Sequence, residues 1–246
     1  MQAHIFREYD IRGVVERDLD EGDVETLGRA FGTYFQELSC RRIVVGRDCR
    51  LTSEAYAAAL AAGLQATGCD IVDVGLVPTP VLYFAVETLG ADGGITVTAS
   101  HNPPEFNGFK SRTRARALFG ADIQRLWEIV HAGRFAQGAG RHERLDVLPA
   151  YADHLVGDIH LQRPLHVGVD CGNGTAGVVV VEILERLGCR VEGLYVEPDG
   201  HFPNHVADPT VDKNMADLQQ VVRERHCDAG VGFDGDADRV GVVDET

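Results

Sequence analysis

Apolar and polar positions lay out an alternation of helix and strand along the chain. From Val24 to Leu38 apolar residues return every three or four positions, which predicts an amphipathic helix. The run Arg42-Ile43-Val44-Val45-Gly46 reads as a buried strand. Thr52 or Ser53 then caps an alanine-rich helix to about Thr67, and Gly68 ends it. Asp70 to Val74 is the next strand. Pro78-Thr79-Pro80 starts a helix to about Leu89, with Pro80 tolerated in a first turn whose donors have no intrahelical acceptor. Gly93 to Val97 is strand-like. Strands and helices in this order imply a parallel sheet with right-handed crossovers.

Beyond this point the pattern changes. Lys110, Arg112, Arg114 and Arg116 alternate with small or polar residues, which places the four cations on one face of a strand. A solvated edge strand protected by charge accounts for that stripe, with an anion-attracting face as the alternative. A helix follows from Asp122 to Val130, and the Gly-, Arg- and Ala-rich stretch Gly133 to Arg144 reads as a domain boundary. A second series then runs as helix (Pro149–Ile159), strand (His166–Asp170), helix (Ala176–Leu187) and strand (Arg190–Tyr195). A helix (Met215–Arg225) and strands at Ala229–Phe233 and Val240–Val243 complete it. The expected architecture is two tandem α/β domains, residues 1–138 and 139–246, with mixed, largely parallel sheets flanked by helices. Val44-Val45-Gly46-Arg47-Asp48 and Val167-Gly168-Val169-Asp170-Cys171 share a rhythm that hints at duplication.

Composition narrows the function classes. The 246 residues are 44% hydrophobic and 25% charged, as in soluble globular proteins. A net charge of −15 argues against nucleic acid as a partner, which would need a basic face. An anionic small molecule is compatible with it if cations are concentrated locally. Cys40, Cys49, Cys69, Cys171, Cys189 and Cys227 show no C-x-x-C or metal-type spacing, so they read as reduced, buried thiols of a cytosolic protein. The charged N-terminus is no signal peptide, and no apolar run approaches the roughly 18 residues of a membrane span. The expectation is a cytoplasmic protein without a membrane or nucleic-acid partner. Its oligomeric state is left open, a monomer included.

Two stretches carry chemistry. Thr98-Ala99-Ser100-His101-Asn102-Pro103-Pro104 follows the strand at Gly93–Val97 and sets a serine beside a histidine on a proline-stiffened turn. A nucleophile or phosphate carrier can be held this way, although an ordinary loop can read the same. Asp234-Gly235-Asp236-Ala237-Asp238-Arg239 brings three carboxylates together at alternate positions, an arrangement that calls for a cation. A hard divalent ion with oxygen ligands, Mg²⁺ or Ca²⁺, suits it. An EF-hand does not, because Arg239 stands where that loop needs glycine and strands flank the run. The turn Asp170-Cys171-Gly172-Asn173-Gly174-Thr175 could cradle a phosphate with its amides. It lacks both G-x-G-x-x-G and the Walker lysine, which favours a purely structural turn.

Together, Tyr9-Asp10-Ile11-Arg12-Gly13, Thr98 to Pro103, Asn107-Gly108-Phe109-Lys110 and Asp234 to Arg239 resemble the α-D-phosphohexomutases, most closely their bacterial phosphomannomutase/phosphoglucomutase branch. Pro78-Thr79-Pro80, Asp170 to Gly174 and Phe202-Pro203-Asn204-His205 extend the likeness over almost the whole chain. The resemblance implies that Ser100 is a phosphoserine that exchanges its phosphoryl group with a hexose phosphate through a hexose bisphosphate. It implies Mg²⁺ on Asp234, Asp236 and Asp238, with a phosphoserine oxygen of Ser100 as a further ligand. Arg12, Lys110 and Arg239 would contact substrate in the reacting region, Lys110 would be the general acid/base, and His101 would support the serine. A doubly charged phosphoserine needs such cations, and phosphoryl transfer asks mainly for alignment and charge stabilisation.

The family has four domains, and this chain resembles the first two. The third domain's sugar-recognition loop and the fourth domain's phosphate-gripping loop lie outside the resemblance. Remote binding energy of that kind contributes to transition-state stabilisation. The expected turnover of this chain alone is therefore below the range of roughly 1–1,000 per second typical of enzymes. A non-catalytic phosphosugar- or metal-binding module, or a partner subunit, is the alternative from another class. Phosphoglucosamine mutase is the less favoured enzyme, because Pro104 to Lys110 looks more like the mannose/glucose branch. Sugar choice is not readable from these residues.

Overall fold

The computed structural model describes residues 1–245. Its first strand, β1 (Ile11–Val14), falls in the opening stretch for which the sequence pattern gave no element. Asp20 starts α1 (Glu21–Glu37), its carboxylate accepting the Asp23 amide at 2.8 Å. The helix buries Val24, Leu27, Phe31, Tyr34 and Phe35, the side expected from their spacing. There follow β2 (Arg42–Arg47), α2 (Ser53–Gln65), β3 (Asp70–Leu76), α3 (Thr79–Thr88), β4 (Gly93–Val97), β5 (Phe106–Thr113), α4 (Ala121–Ala132) and β6 (His142–Arg144).

The chain divides into two compact units. The first comprises Met1–Leu76, Leu82–Ala99 and Glu105–Asp146; the second comprises Val77–Val81, Ser100–Pro104 and Val147–Thr246. In the first, the strand order is β1-β5-β4-β2-β3-β6. β2 runs parallel to β3 and β4, and β6 parallel to β3, whereas β5 is antiparallel to both of its neighbours. The sheet is mixed and largely parallel. Its main core joins Ile43, Val45, Ile95, Val97 and Phe109 to Leu27, Phe31, Phe35, Leu60 and Leu64 from α1 and α2.

Two expectations are corrected here. The cationic stretch is only in part a strand: β5 ends at Thr113, its residues Lys110–Thr113 pair with β4, and β1 accompanies β5 only as far as Phe109. Its arginines meet an aromatic ring or a carboxylate instead of forming a free stripe. The Arg112 guanidinium lies 4.8 Å from the Tyr83 ring centroid, Arg114 meets Glu87 at 3.1 Å, and Arg116 meets Asp122 at 2.5 Å. Nor do Thr52 and Ser53 cap α2 with their hydroxyls. The Ser53 hydroxyl donates to Asp48 at 2.5 Å, and Asn107 Nδ2 donates to both Thr52 Oγ1 and Ser53 Oγ at 3.0 Å. Asp48 also accepts from Arg50 Nε at 3.1 Å, and Arg50 Nη1 donates to the Phe106 carbonyl at 3.0 Å. Asp48 and Arg50 are 1% and 3% exposed, so this pair survives burial only because each charge is hydrogen-bonded several times. The network joins the start of α2 to the start of β5.

The second unit adds α5 (Leu148–Asp158), β7 (His166–Asp170), α6 (Val180–Arg186), β8 (Arg190–Leu194), α7 (Ala216–Arg225), β9 (Ala229–Phe233) and β10 (Val240–Val243). Its strands order as β10-β9-β7-β8, parallel except for the β9–β10 pair. The helix expected from Ala176 to Leu187 is broken: a 3-10 turn occupies Thr175–Val178 before α6 begins. The C-terminal ends of β2 and β7 share one device, an aspartate that accepts the amide two residues on. Asp48 takes Arg50 N at 3.0 Å and Asp170 takes Gly172 N at 2.8 Å. All six cysteines are free thiols, and all but Cys49 are buried.

α1 and α2 cross at glycines. A Cβ on Gly63 would run into the Glu25 carbonyl and stand 2.8 Å from Arg29 N and from Gly28 Cα, all of them backbone atoms that cannot swing aside. Alanine is the better helix former by about 1 kcal/mol, but overpacking a fixed helix contact costs about 1–3 kcal/mol. Gly63→Ala is therefore expected to destabilise the protein by about 1–2 kcal/mol in urea unfolding. An unchanged or increased midpoint would show that the helices separate freely.

Candidate active site

β4 ends at Val97, and Ser100 follows with a backbone φ of +54°. A left-handed conformation at a non-glycine residue is costly, of order 1–3 kcal/mol, and persists where surrounding contacts fix it. Here those contacts are explicit. The Ser100 hydroxyl donates to Asp234 Oδ2 at 2.5 Å and lies 3.3 Å from His101 Nδ1. Arg239 Nη2 is 3.5 Å from the same hydroxyl and donates to His101 Nδ1 at 2.7 Å. A guanidinium can only donate, so His101 Nδ1 accepts and the ring proton sits on Nε2. His101 thus orients Arg239 beside the serine.

The aspartates stand on the hairpin between β9 and β10. Asp234 Oδ1 accepts the amides of Asp238 and Arg239, both at 3.0 Å, and this turn gathers the loop. Asp234, Asp236 and Asp238 each present an oxygen within 4.8 Å of the others. The first two are fully buried and Asp238 is exposed. Burial, then the charges of Asp236 and Asp238, push the Asp234 carboxyl well above the usual carboxylate range, against the hydrogen bond from Ser100. Arg239 offers one positive charge, its Nε 3.8 Å from Asp234 and 4.0 Å from Asp238. Three clustered carboxylates facing one guanidinium leave a net negative site of hard oxygen donors. That donor set fits Mg²⁺.

Gly235 lets the loop approach the serine turn. A Cβ there would lie 2.5 Å from the Ser100 carbonyl oxygen. Two fully buried threonines hold the loop. Thr79 donates its amide to the Asp236 carbonyl at 2.9 Å and its hydroxyl to Asp236 Oδ2 at 2.6 Å. Thr175 donates its amide and hydroxyl to the Gly235 carbonyl at 3.0 and 3.2 Å. This decides the role of the turn at Asp170–Thr175. Its amides are spent on Asp170, Tyr195, Cys171 and Gly235, so it is a structural brace and not a phosphate cradle.

Ser100, His101, Arg239 and the three aspartates therefore meet within the second unit. Arg12 and Lys110 lie in the first. Arg12 is 7% exposed; its Nε and Nη2 hold Asp10 at 2.8 and 2.7 Å, and its Nη1 donates to the Ala99 carbonyl at 3.0 Å. It thereby fixes the residue that precedes Ser100. Lys110 stands half-buried on β5, opposite Thr96 of β4.

Comparison with known proteins follows the same division. Residues 3–137 match α/β/α domain I of phosphoglucomutase/phosphomannomutase, and residues 149–246 match its α/β/α domain II. The chain belongs to the phosphoglucomutase/phosphomannomutase family. It is 44% identical to a phosphomannomutase/phosphoglucomutase of Pseudomonas aeruginosa, covering all of this chain and 53% of that protein. A phosphoglucomutase of Neisseria gonorrhoeae is 39% identical over 97% of this chain and 52% of its own length. The crystal structure of a phosphoglucomutase/phosphomannomutase family protein from Burkholderia thailandensis superposes with a TM-score of 0.96 at 43% identity, covering all of this chain and 55% of that one. The chain thus spans about half the length of the curated relatives it matches. No helix among the described residues is long and apolar enough to cross a membrane.

Some residues of this family member's site were not singled out from sequence. Thr79 and Thr175 were visible only as parts of Pro78-Thr79-Pro80 and of the 170–175 turn. The loop at residues 197–208 was visible only through Phe202-Pro203-Asn204-His205, as part of the resemblance. Phe202, Val206 and Ala207 on it line a cavity of about 50 Å³ with Ser100 to Pro104. Asn173 ties the loop down, donating to the Glu197 carbonyl at 2.9 Å and accepting from Asn204 at 2.8 Å. His205 supplies the second tie. Its Nε2 faces Asp170 Oδ2 at 3.0 Å and its Nδ1 faces the Val206 carbonyl at 2.9 Å. A carboxylate and a carbonyl both accept, so the geometry suits an imidazolium that donates from both nitrogens.

The Asp170 hydrogen bond raises the His205 pKa above its ordinary value, against the effect of burial. Stabilisation from a raised histidine is full below the unfolded pKa of about 6.5 and is lost as pH climbs through the folded value. His205→Gln should therefore cost about 1.5–3 kcal/mol near pH 5.5, the worth of a hydrogen bond to a charged group, and distinctly less near pH 8.5. Urea unfolding at the two pH values measures it; an equal loss at both would refute the charged pair.

Proposed function

We propose that this chain carries the phosphoryl-transfer centre of a Mg²⁺-dependent phosphomannomutase/phosphoglucomutase, with Ser100 as the phosphoryl carrier. The reaction interconverts hexose 1-phosphate and hexose 6-phosphate through a hexose 1,6-bisphosphate. One observation carries this proposal: the Ser100 hydroxyl donates at 2.5 Å to Asp234, a member of the three-carboxylate cluster. Asp234, Asp236 and Asp238, with an oxygen of phosphorylated Ser100, would hold the Mg²⁺. Bound there, the ion supplies positive charge against the phosphoryl oxygens and lowers the repulsion of serine phosphate by the aspartates.

The remaining steps belong to the chain's own side chains. Asp234 Oδ2 holds the Ser100 hydroxyl at 2.5 Å and so orients the oxygen that would carry the phosphoryl group. Arg239, oriented by His101, adds charge stabilisation at the serine oxygen. Arg12 holds the Ala99 carbonyl and so the approach of Ser100. Lys110 would take the proton of the sugar hydroxyl that attacks phosphoserine and return a proton to the sugar oxygen that leaves when the phosphoryl group goes back to Ser100. A purely binding module would need none of the serine's geometry.

Incubation with glucose or mannose 1,6-bisphosphate and Mg²⁺ is expected to leave phosphate on Ser100, read by intact mass and peptide mapping. Ser100→Ala should stay unmodified, and failure of the unaltered chain to take up phosphate would leave the binding-module alternative. Mg²⁺ at about 100 times its Kd should stabilise the chain by about 2.7 kcal/mol, a melting shift of roughly 5–10 °C for a chain of this size. Asp234→Asn should abolish most of that shift; an undiminished shift in the variant would place the ion elsewhere.

A further inference from the structure

Pro78-Thr79-Pro80 opens α3, and its two prolines have no amide hydrogens. Thr79 is therefore the sole backbone donor of that tripeptide, at a helix start where such donors have no intrahelical acceptor. The amide is aimed outside the helix, at the Asp236 carbonyl 2.9 Å away. The hydroxyl of the same residue reaches the Asp236 side chain, donating to Oδ2 at 2.6 Å. Thr79 and Asp236 are both fully buried. One residue thus fixes the position of Asp236 through its main chain and the rotation of its carboxylate through its side chain. Thr175, by contrast, grips the Gly235 carbonyl with both its amide and its hydroxyl.

We propose that Thr79 is a positioning residue for the metal centre, turning Asp236 so that one carboxylate oxygen is retained by the threonine while the other serves as ligand. This rests on the assignment of Mg²⁺ to the three aspartates. A carboxylate on a freely rotating bond would have to be ordered each time the ion binds, at an entropic cost that Thr79 meets in advance. Partners of metal ligands held in this manner are typically worth 10–100-fold in affinity. The short stretch 77–81 is accordingly a functional part of the second unit, although it lies far from the aspartates in sequence.

Mn²⁺ titration followed by electron paramagnetic resonance, together with Mg²⁺ titration by calorimetry, tests the assignment. Thr79→Val keeps the shape and removes the hydroxyl; Thr79→Ala removes it with less bulk; Thr79→Ser restores it. Both hydroxyl-free variants should bind either ion about 10–100-fold more weakly than the unaltered chain, and Thr79→Ser should lie within about threefold of it. Melting temperatures in EDTA separate the roles, because a merely structural threonine would lower stability without changing ion affinity. Unchanged affinity in Thr79→Val, or a loss in Thr79→Ser as large as in Thr79→Val, overturns the positioning role alone. No uptake of either ion by the unaltered chain overturns the metal assignment and this proposal together. A crystal structure of the unaltered chain soaked in Mg²⁺ decides the matter even if the variants do not fold. Thr79 Oγ1 should remain hydrogen-bonded to Asp236 while the ion takes the other oxygen, and an Asp236 rotated away from Thr79 refutes it.

Discussion

Mutual repulsion of buried carboxylates is the constraint around which the second unit is built. Asp234 and Asp236 are wholly buried, and their oxygens and one of Asp238 lie within 4.8 Å of one another. At that separation each charged pair repels by about 3 kcal/mol, taking an effective dielectric constant of about 20. A loop could escape this by unwinding into solvent. It is prevented from doing so by backbone hydrogen bonds at each step: Asp234 accepts the amides of residues 238 and 239, Thr175 holds Gly235, and Thr79 holds Asp236. Neutral amides and hydroxyls keep the acids together beside the single positive charge of Arg239.

The same economy extends to the serine. Ser100 occupies a left-handed backbone conformation, with Asp234, His101 and Arg239 around its hydroxyl. Packing leaves no room for a side chain at residue 235, so the serine turn and the aspartate loop touch backbone to backbone. Strain at the serine and repulsion among the acids are both unfavourable locally, and each is held by the other's framework. A divalent cation held by the three carboxylates would offset the negative charge that they concentrate. A net charge of −15 on the chain is no obstacle, because the balance is struck over a few ångströms.

Much of the fold was readable from periodicity. α1, β2, β3, β4, β7, β9 and β10 lie where the apolar pattern put them, because each shows one face or a whole body to a core. The failures share a cause. β1 and β6 are short strands whose existence depends on partners distant in sequence, Phe106–Phe109 and Ile71–Asp73. The cations after β5 were legible as a solvated stretch, Arg114 and Arg116 being exposed, but the partners of Arg112, Arg114 and Arg116, namely Tyr83, Glu87 and Asp122, were not. The hydroxyls of Thr52 and Ser53 left their expected capping role because Asp48 and Asn107 offered stronger or more numerous hydrogen bonds.

The sequence alone determined the candidate chemistry: a serine on a stiffened turn, a run of alternating aspartates, and a set of motifs in a recognisable order. These are local properties, set by residue type and spacing within a few positions. Only the tertiary structure decided which groups meet. Ser100 reaches Asp234 across 134 positions and Thr79 reaches Asp236 across 157, and no short-range pattern specifies either distance. Those contacts follow from where the ends of parallel strands deliver their loops. That is a property of sheet order and crossover direction, settled when the whole core is buried rather than residue by residue.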